Sequence, residues 1–356
     1  MRLASDSPYR AAGQRLRIRL GCAPTPFPEP QRQTTQNDVE IDGAPAVLGT
    51  VEPMDPGEYD TAKATRFLAQ HGYGPVDVAL VGEGAWSRCF GFRHDGTYLV
   101  VRFGAHLDDF EKDNHAQHFA RPGLPVPAVL AVGPTDGGHY AISTRSFGTP
   151  LEHATPAEWD ALLPSVLAMF DALRSCTVTS DSRWGMWGAD VTGPQSGWRH
   201  ALLSVADEHP RHRGWHAKLG AHHGATEAFA WGLGLMDEAA TDNVPHAVIH
   251  RDLINRNVHV VGDQITGVFD WGCSMYGDPL YELAWFQFYA PWYPHLDIDA
   301  LTAGVLAGDR GGRHTERLVA AMMPIGLGSI VYGAARNDGG DIAAAIARMK
   351  DVAAHI

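Results

Sequence analysis

The sequence predicts an α+β fold in two lobes: a small, five-stranded antiparallel sheet with one helix, then a larger, mainly helical lobe. Three observations carry that expectation. Short apolar runs of strand length, joined by Gly- and Asp-containing turns, fill residues 72–145. After Gly148 the apolar residues recur at helical spacing instead. The chain has 356 residues, more than the roughly 100–200 of one domain, and its 45 % apolar content is enough for a sizeable core. The expected divisions are an extension over residues 1–53, a small lobe over 54–147 and a helical lobe over 148–356.

The extension is rich in Pro, Gln and Thr and is expected to be poorly ordered. It begins with Arg2, Arg10, Arg15, Arg17 and Arg19 but lacks the apolar stretch of a signal peptide, and Met54 offers an alternative start. Residues 61–71 put Ala64, Phe67 and Leu68 on one helical face, and Gly72 ends that helix. Strands follow at 76–81, 89–93 and 98–103. The turn Gly82-Glu83-Gly84-Ala85-Trp86-Ser87 joins the first two, and His94-Asp95-Gly96 the next pair. Residues 107–120 read as a helix stopped by prolines, and strands at 129–132 and 140–144 complete the sheet. Helices are expected at 156–173, 197–205, 225–240, 281–288 and 316–333. The Ala- and Gly-rich tail reads as compositional bias.

One sheet segment interrupts the helices. Ala247-Val248-Ile249 leads into His250-Arg251-Asp252-Leu253-Ile254-Asn255-Arg256-Asn257, then to strands at 258–261 and 265–269 that end at Asp270. A hairpin returns the chain to the edge it left, so Asp252, Asn257 and Asp270 are expected together at one end of the strands. Phosphoryl transfer needs such a set: a carboxylate beside the attacking hydroxyl, and oxygen ligands for magnesium on the phosphates. Asp252 suits the catalytic role, and Asn257 and Asp270 suit the metal. A lone His-x-Asp merely braces a turn; the whole string in this lobe order is specific.

With these residues the sequence resembles the aminoglycoside phosphotransferase family, which has a protein-kinase-like fold. Residues 248–257 are similar to its catalytic loop, Val268-Phe269-Asp270-Trp271 to its metal segment, and Gly277-Asp278-Pro279 to the segment that follows. Within the family the likeness is to the hygromycin B phosphotransferases, on Ser87-Arg88, Lys112-Asp113 and Leu124-Pro125-Val126-Pro127 among others. The resemblance implies an ATP- and Mg2+-dependent kinase with the nucleotide in the small lobe and a cationic small-molecule acceptor, hygromycin B foremost, in the helical lobe. It implies phosphate contacts from Gly82, Gly84 and Ser87, although that turn alone also suits an ordinary hairpin. Adenine is expected against backbone groups of Thr144, Arg145 and Ser146. Arg102 stands where a kinase has its phosphate-pairing lysine, held by Asp113 or else Glu111. Asp278 is expected to fix the catalytic loop through backbone hydrogen bonds.

A polycation rich in hydroxyls calls for carboxylates and aromatic surfaces. The candidates are Asp190, Asp207, Glu282, Asp338 or its neighbour Asp341, and Trp285 with Tyr289, Trp292 and Tyr293. Aromatics at helical spacing are more often core. His209, His212, His216, His222 and His223 invite a zinc reading, but no Cys or acidic pattern completes it. A net charge of −13 argues against a general nucleic-acid binder. Residues 1–53 hold six basic and six acidic side chains, so the acidity belongs to the lobes. Four dispersed cysteines suit a cytoplasmic protein, and no run of membrane-span length stands out. The oligomeric state stays open, a monomer being compatible. Two other readings stay open as well: a small-metabolite kinase of the same fold, acting on a sugar, a choline-like amine or another antibiotic, and a non-catalytic binding protein.

Overall fold

The computed structural model describes residues 59–84 and 87–355. The expected extension, the start at Met54 and the Ala85-Trp86 pair of the glycine turn lie outside the described residues. Helix α1 (Thr61–Gln70) is capped by the Asp60 carboxylate, which accepts from the Lys63 N–H at 2.7 Å. Strands β1 (Val76–Glu83), β2 (Ser87–His94) and β3 (Thr97–Gly104) follow, then helix α2 (Leu107–Ala116) and strands β4 (Val129–Thr135) and β5 (Gly138–Thr144). The five strands make one antiparallel sheet in the order β1-β2-β3-β5-β4, as the sequence pattern predicts. Alternation along β3 decides what each face presents. Leu99, Val101 and Phe103 are buried with Ala64 and Leu68 of α1, so Arg102 points to the opposite face, towards α2.

The helical lobe opens with β6 (Thr149–Pro150) and α3 (Pro156–Arg174), whose start is fixed by a Thr155–Glu158 capping box. Then come β7 (Gly185–Met186), α4 (Trp198–Leu203), α5 (Trp215–Leu219), α6 (Ala225–Ala239) and β8 (Ala247–Ile249). The hairpin β9 (Val258–Val261) and β10 (Gln264–Val268), β11 (Met275–Gly277), α7 (Leu280–Tyr289), α8 (Ile298–Gly308), α9 (His314–Arg336) and α10 (Gly339–Ala354) complete it. Two three-stranded sheets, β10-β9-β6 and β7-β11-β8, hold the segment between β8 and β11.

Helix α9 has the length and mean hydropathy, 1.7, of a membrane span, a run the sequence reading passes over. Yet 72 % of that stretch is buried within the fold, where α5, α6, α7 and α10 pack on it. The tail needs a correction. Residues 339–354 form α10, with Ile342, Ala345, Met349 and Val352 buried, and are not compositional bias. A Cβ at Gly326 of α9 would lie 2.3 Å from Met349 Cγ, so α10 packs closely on α9. Short α5 and α8 also go unforeseen, because five to eleven residues carry little periodicity.

Candidate active site

Three buried residues, Ala247, Val248 and Ile249, anchor β8 and deliver His250 to the cleft. The chain then turns through Arg251 and Arg256, both left-handed at φ 71° and 63°. The β9–β10 hairpin pairs Val258 with Val268 and brings the chain back, and the Phe269 N–H donates to the Asn257 carbonyl at 3.0 Å. Asp252, Asn257 and Asp270 therefore meet, as the hairpin argument predicts. Asn257 Nδ2 donates to the Asp252 carbonyl at 2.9 Å and to its Oδ2 at 3.0 Å. The Asn255 amide adds a bond to the same oxygen at 3.3 Å. His250 ties the two loops together: Nε2 lies 3.1 Å from the Phe269 carbonyl, and Nδ1 accepts from the Asp252 N–H at 3.3 Å. A neutral ring with its proton on Nε2 satisfies both bonds, and burial holds its pKa down at about 4. Burial, then the charge of Asp270, pushes the Asp252 carboxyl up to about 8.

Two buried carboxylates clamp this loop: Glu282, which the sequence suggested for the acceptor, and Glu152, which it did not suggest at all. Glu282 Oε1 accepts from the His250 and Arg251 N–H groups, the latter at 3.0 Å. Glu152 Oε1 accepts from the Arg256 N–H at 2.5 Å. Glu282 is thus not an acceptor-substrate residue, since it is 2 % exposed and committed to the backbone. The signal was available: Glu282 is a lone acid inside the apolar helix α7. Asp278, expected in that role, binds Arg317 instead at 2.7 and 2.6 Å and accepts from the Leu280 N–H. Arg317 also binds Asp309 at 2.6 Å, a network about 1 % exposed that fastens α9 beneath α7.

On the sheet side Arg102 pairs with Asp113, not Glu111, and reaches Asp270 at 3.4 Å. Both members of the Arg102–Asp113 pair are largely shielded, so it is no surface salt bridge. Asp113 also accepts from the Trp271 N–H at 2.8 Å, and Lys112 Nζ donates to the Gly272 carbonyl at 2.9 Å. Adjacent residues of α2 thereby hold the turn that carries Asp270. Gly82 and Gly84 sit where β1 ends, with the Gly84 N–H bonded to the Ser87 carbonyl at 3.0 Å. Ser87 pairs with Gly104, two positions along β3 from Arg102. Thr144, Arg145 and Ser146 form the passage between the lobes; the Arg145 N–H donates to the Tyr98 carbonyl at 3.1 Å, and Ser146 bonds His259 through its backbone.

A cavity of about 580 Å³ opens beside Asp252. Asp207, Trp285, Tyr289, Trp292 and Asp341 line it, and Tyr293 lines a smaller recess against Asp252. The aromatic group is therefore partly a wall. Asp190 and Asp338 are corrected. Asp190 accepts from the Thr192 N–H and hydroxyl within its own turn, and Asp338 caps α10 through the Gly340 and Asp341 N–H groups. The histidines do not converge: His209 and His212 reach the cavity while His216 pairs with Glu208 at 3.0 Å. Among the described residues no three His, Cys, Asp or Glu side chains cluster as a metal site would require.

Comparison with known proteins bears directly on this arrangement. The profile of the APH phosphotransferase enzyme family matches residues 92–319. The chain belongs to that family. Hygromycin-B 4-O-kinase of Escherichia coli is 29 % identical over 276 residues, 77 % of this chain and 80 % of that protein. A crystal structure of a thermostable mutant of aminoglycoside phosphotransferase APH(4)-Ia, in ternary complex with AMP-PNP and hygromycin B, superposes with a TM-score of 0.72 at 29 % identity. It covers 82 % of this chain and 97 % of its own. The GDP complex of wild-type aminoglycoside 2'-phosphotransferase-IIIa, 14 % identical with a TM-score of 0.56 over 83 % and 99 % of the chains, shares the fold. This family member thus has the kinase-like architecture, with its matched span running across the catalytic loop and the Asp270 turn.

Proposed function

We propose that this phosphotransferase moves the terminal phosphoryl group of ATP to a hydroxyl of an aminoglycoside-type acceptor, with hygromycin B the first substrate to test. The observation that carries the reading is the convergence of Asp252, Asn257 and Asp270 beside an aromatic-walled cavity. Residues 54–147 would hold the nucleotide, through backbone groups near Gly82, Gly84 and Ser87, the Arg102 guanidinium, and the Thr144–Ser146 passage. Residues 148–356 would hold the acceptor.

Asp252 receives the acceptor hydroxyl as a hydrogen-bond donor and takes its proton as the oxygen attacks phosphorus. The new bond from acceptor oxygen to phosphorus forms while the bond to the diphosphate oxygen breaks. Catalysis on this scheme is mostly positioning and charge stabilisation. The donor set fits magnesium: the Asp270 carboxylate is half exposed, and Asn257 spends its amide nitrogen on Asp252, leaving Oδ1 to offer. Bound there, the cation would neutralise phosphate charge and the charge of Asp270. With the charge of Asp270 so offset, a larger share of Asp252 would be ionised near neutral pH and able to accept the hydroxyl proton.

ATP consumption with hygromycin B, other aminoglycosides, choline and sugars tests the reading, with GTP run in parallel. Turnover with an aminoglycoside supports it. Turnover only with choline or a sugar transfers the site to the small-metabolite reading. No turnover, together with no thermal shift on adding Mg2+-ATP, would point to a non-catalytic binding protein.

A further inference from the structure

The chain's acidity does not collect where the acceptor would bind. The cavity is lined by four acidic side chains and three basic ones, Lys112, Arg211 and Arg251. Two of the basic groups are already spent. Arg211 binds Asp108 at 3.0 Å and Asp109 at 2.9 Å, and Lys112 holds the Gly272 carbonyl and leans on Asp108.

Arg251 is different. Its guanidinium donates to the Met186 sulfur at 2.9 Å and to the Tyr281 hydroxyl at 3.4 Å, and no carboxylate among the described residues forms an ion pair with it. A Cβ at Gly328 would lie 3.9 Å from its Nη2. Met186, Tyr281 and Gly328 all line the cavity, so the guanidinium belongs to its wall, one residue from Asp252. A guanidinium has five donors in a rigid fork, and a thioether and a phenol occupy two of them. The Asp252 carboxyl lies near enough to feel this charge but forms no ion pair with it, and a shielded cation without a close partner is expensive to keep. The remaining donors call for oxygen from a ligand.

We propose that Arg251 sets acceptor specificity: the end of the acceptor next to Asp252 presents oxygen (hydroxyl, ring ether or carboxylate) and no ammonium group. This rests on the phosphotransferase reading and sharpens its substrate class to hydroxyl-rich, amine-poor acceptors. An ammonium group beside the attacked hydroxyl would face Arg251 at close range and lose hydrogen bonds. Amines are accommodated farther off, where Asp207 and Asp341 line the same cavity. The recess directly against Asp252 is lined by Ile254, Asn255, Trp285, Tyr289 and Tyr293, and neither Asp207 nor Asp341 reaches it.

The test compares hygromycin B with kanamycin, which carries amino groups on every ring, in wild type, Arg251→Gln and Arg251→Lys. Wild type should favour hygromycin B. Arg251→Gln should raise the KM for hygromycin B roughly tenfold or more, the effect of losing a hydrogen bond to a charged group. It should also narrow the preference over kanamycin and leave the KM for ATP unchanged. Lysine keeps the charge but not the fork and should fall between. An equal loss for both acceptors, or a wild type that prefers kanamycin, would overturn the proposal; the latter needs no variant to fold. If wild type phosphorylates neither, the phosphotransferase reading has failed with these acceptors, and calorimetric binding to wild type decides the inference separately. Hygromycin B binding without kanamycin binding supports it, and any other pattern counts against it.

Discussion

Replacing Glu282 separates the work of its hydrogen bonds from that of its charge. Its Oε1 serves the His250 and Arg251 N–H groups, while Oε2 has no partner. Glu282→Ala strands both donors in a dry site at about 1–3 kcal/mol each. Part of that loss is offset, because the buried carboxylate is itself costly and its pKa is pushed up to about 7. A net loss of roughly 2–3 kcal/mol is expected, with turnover down at least about tenfold as Asp252 loses its support. Glu282→Gln keeps the acceptor oxygen and puts an amide nitrogen where the orphaned oxygen was. It should retain most turnover. The pH dependence has a definite sign. The folded pKa, about 7, lies above the ordinary 4.5, so the folded state holds the proton more tightly. That contribution is fully present below about pH 4.5 and is lost as pH rises towards 7, about 3 kcal/mol in all. Urea unfolding at pH 5 and pH 7.5, beside steady-state kinetics, reads both effects. The Gln variant should gain on wild type between those two pH values. An Ala variant as stable and active as wild type, or a Gln variant as damaged as Ala, would show that the clamp does not support the loop.

Other perturbations probe the rest of the frame. Arg317→Met leaves Asp278 and Asp309 buried without their cation and should cost about 3–5 kcal/mol in urea unfolding; a loss below about 1 kcal/mol would contradict the network. Arg102→Lys cannot span Asp113 and Asp270 with one fork, and the KM for Mg2+-ATP should rise roughly tenfold while acceptor binding measured by calorimetry stays put. His250 stays neutral in the fold down to about pH 4, against 6.5 in the open chain. Its contribution is present above pH 6.5 and lost as pH falls through 4, about 3 kcal/mol in all. Acid unfolding of His250→Gln should therefore be flatter over that window, and an unchanged acid limb would count against a buried neutral ring.

What the sequence made legible follows from the range of the forces involved. The antiparallel sheet and the meeting of Asp252, Asn257 and Asp270 depend on strand alternation and a hairpin, both local patterns. The Arg102–Asp113 pair is only eleven residues apart, close enough for sequence to narrow it to Asp113 or Glu111. Contacts set by long-range packing were hidden. Glu282 lies 32 residues from the His250 N–H it serves, and Glu152 lies 104 residues from Arg256. Asp278 was misassigned because Arg317, its partner on α9, is 39 residues away. The tail was lost for another reason: its Ala- and Gly-rich composition hides the face of Ile342, Ala345, Met349 and Val352 that is buried once α10 packs on its neighbours.

The central claim is that Asp252 handles the acceptor hydroxyl while the nucleotide is held elsewhere. Asp252→Asn removes the carboxylate and keeps the neighbourhood of Asn255 and Asn257 nearly isosteric. Transfer of phosphate from ATP to hygromycin B, measured with calorimetric ATP affinity in the same preparation, tests it most directly. Turnover should fall about 10²–10⁴-fold with ATP affinity within about a factor of three of wild type. Near-normal turnover, or loss of ATP binding together with loss of turnover, would contradict the account.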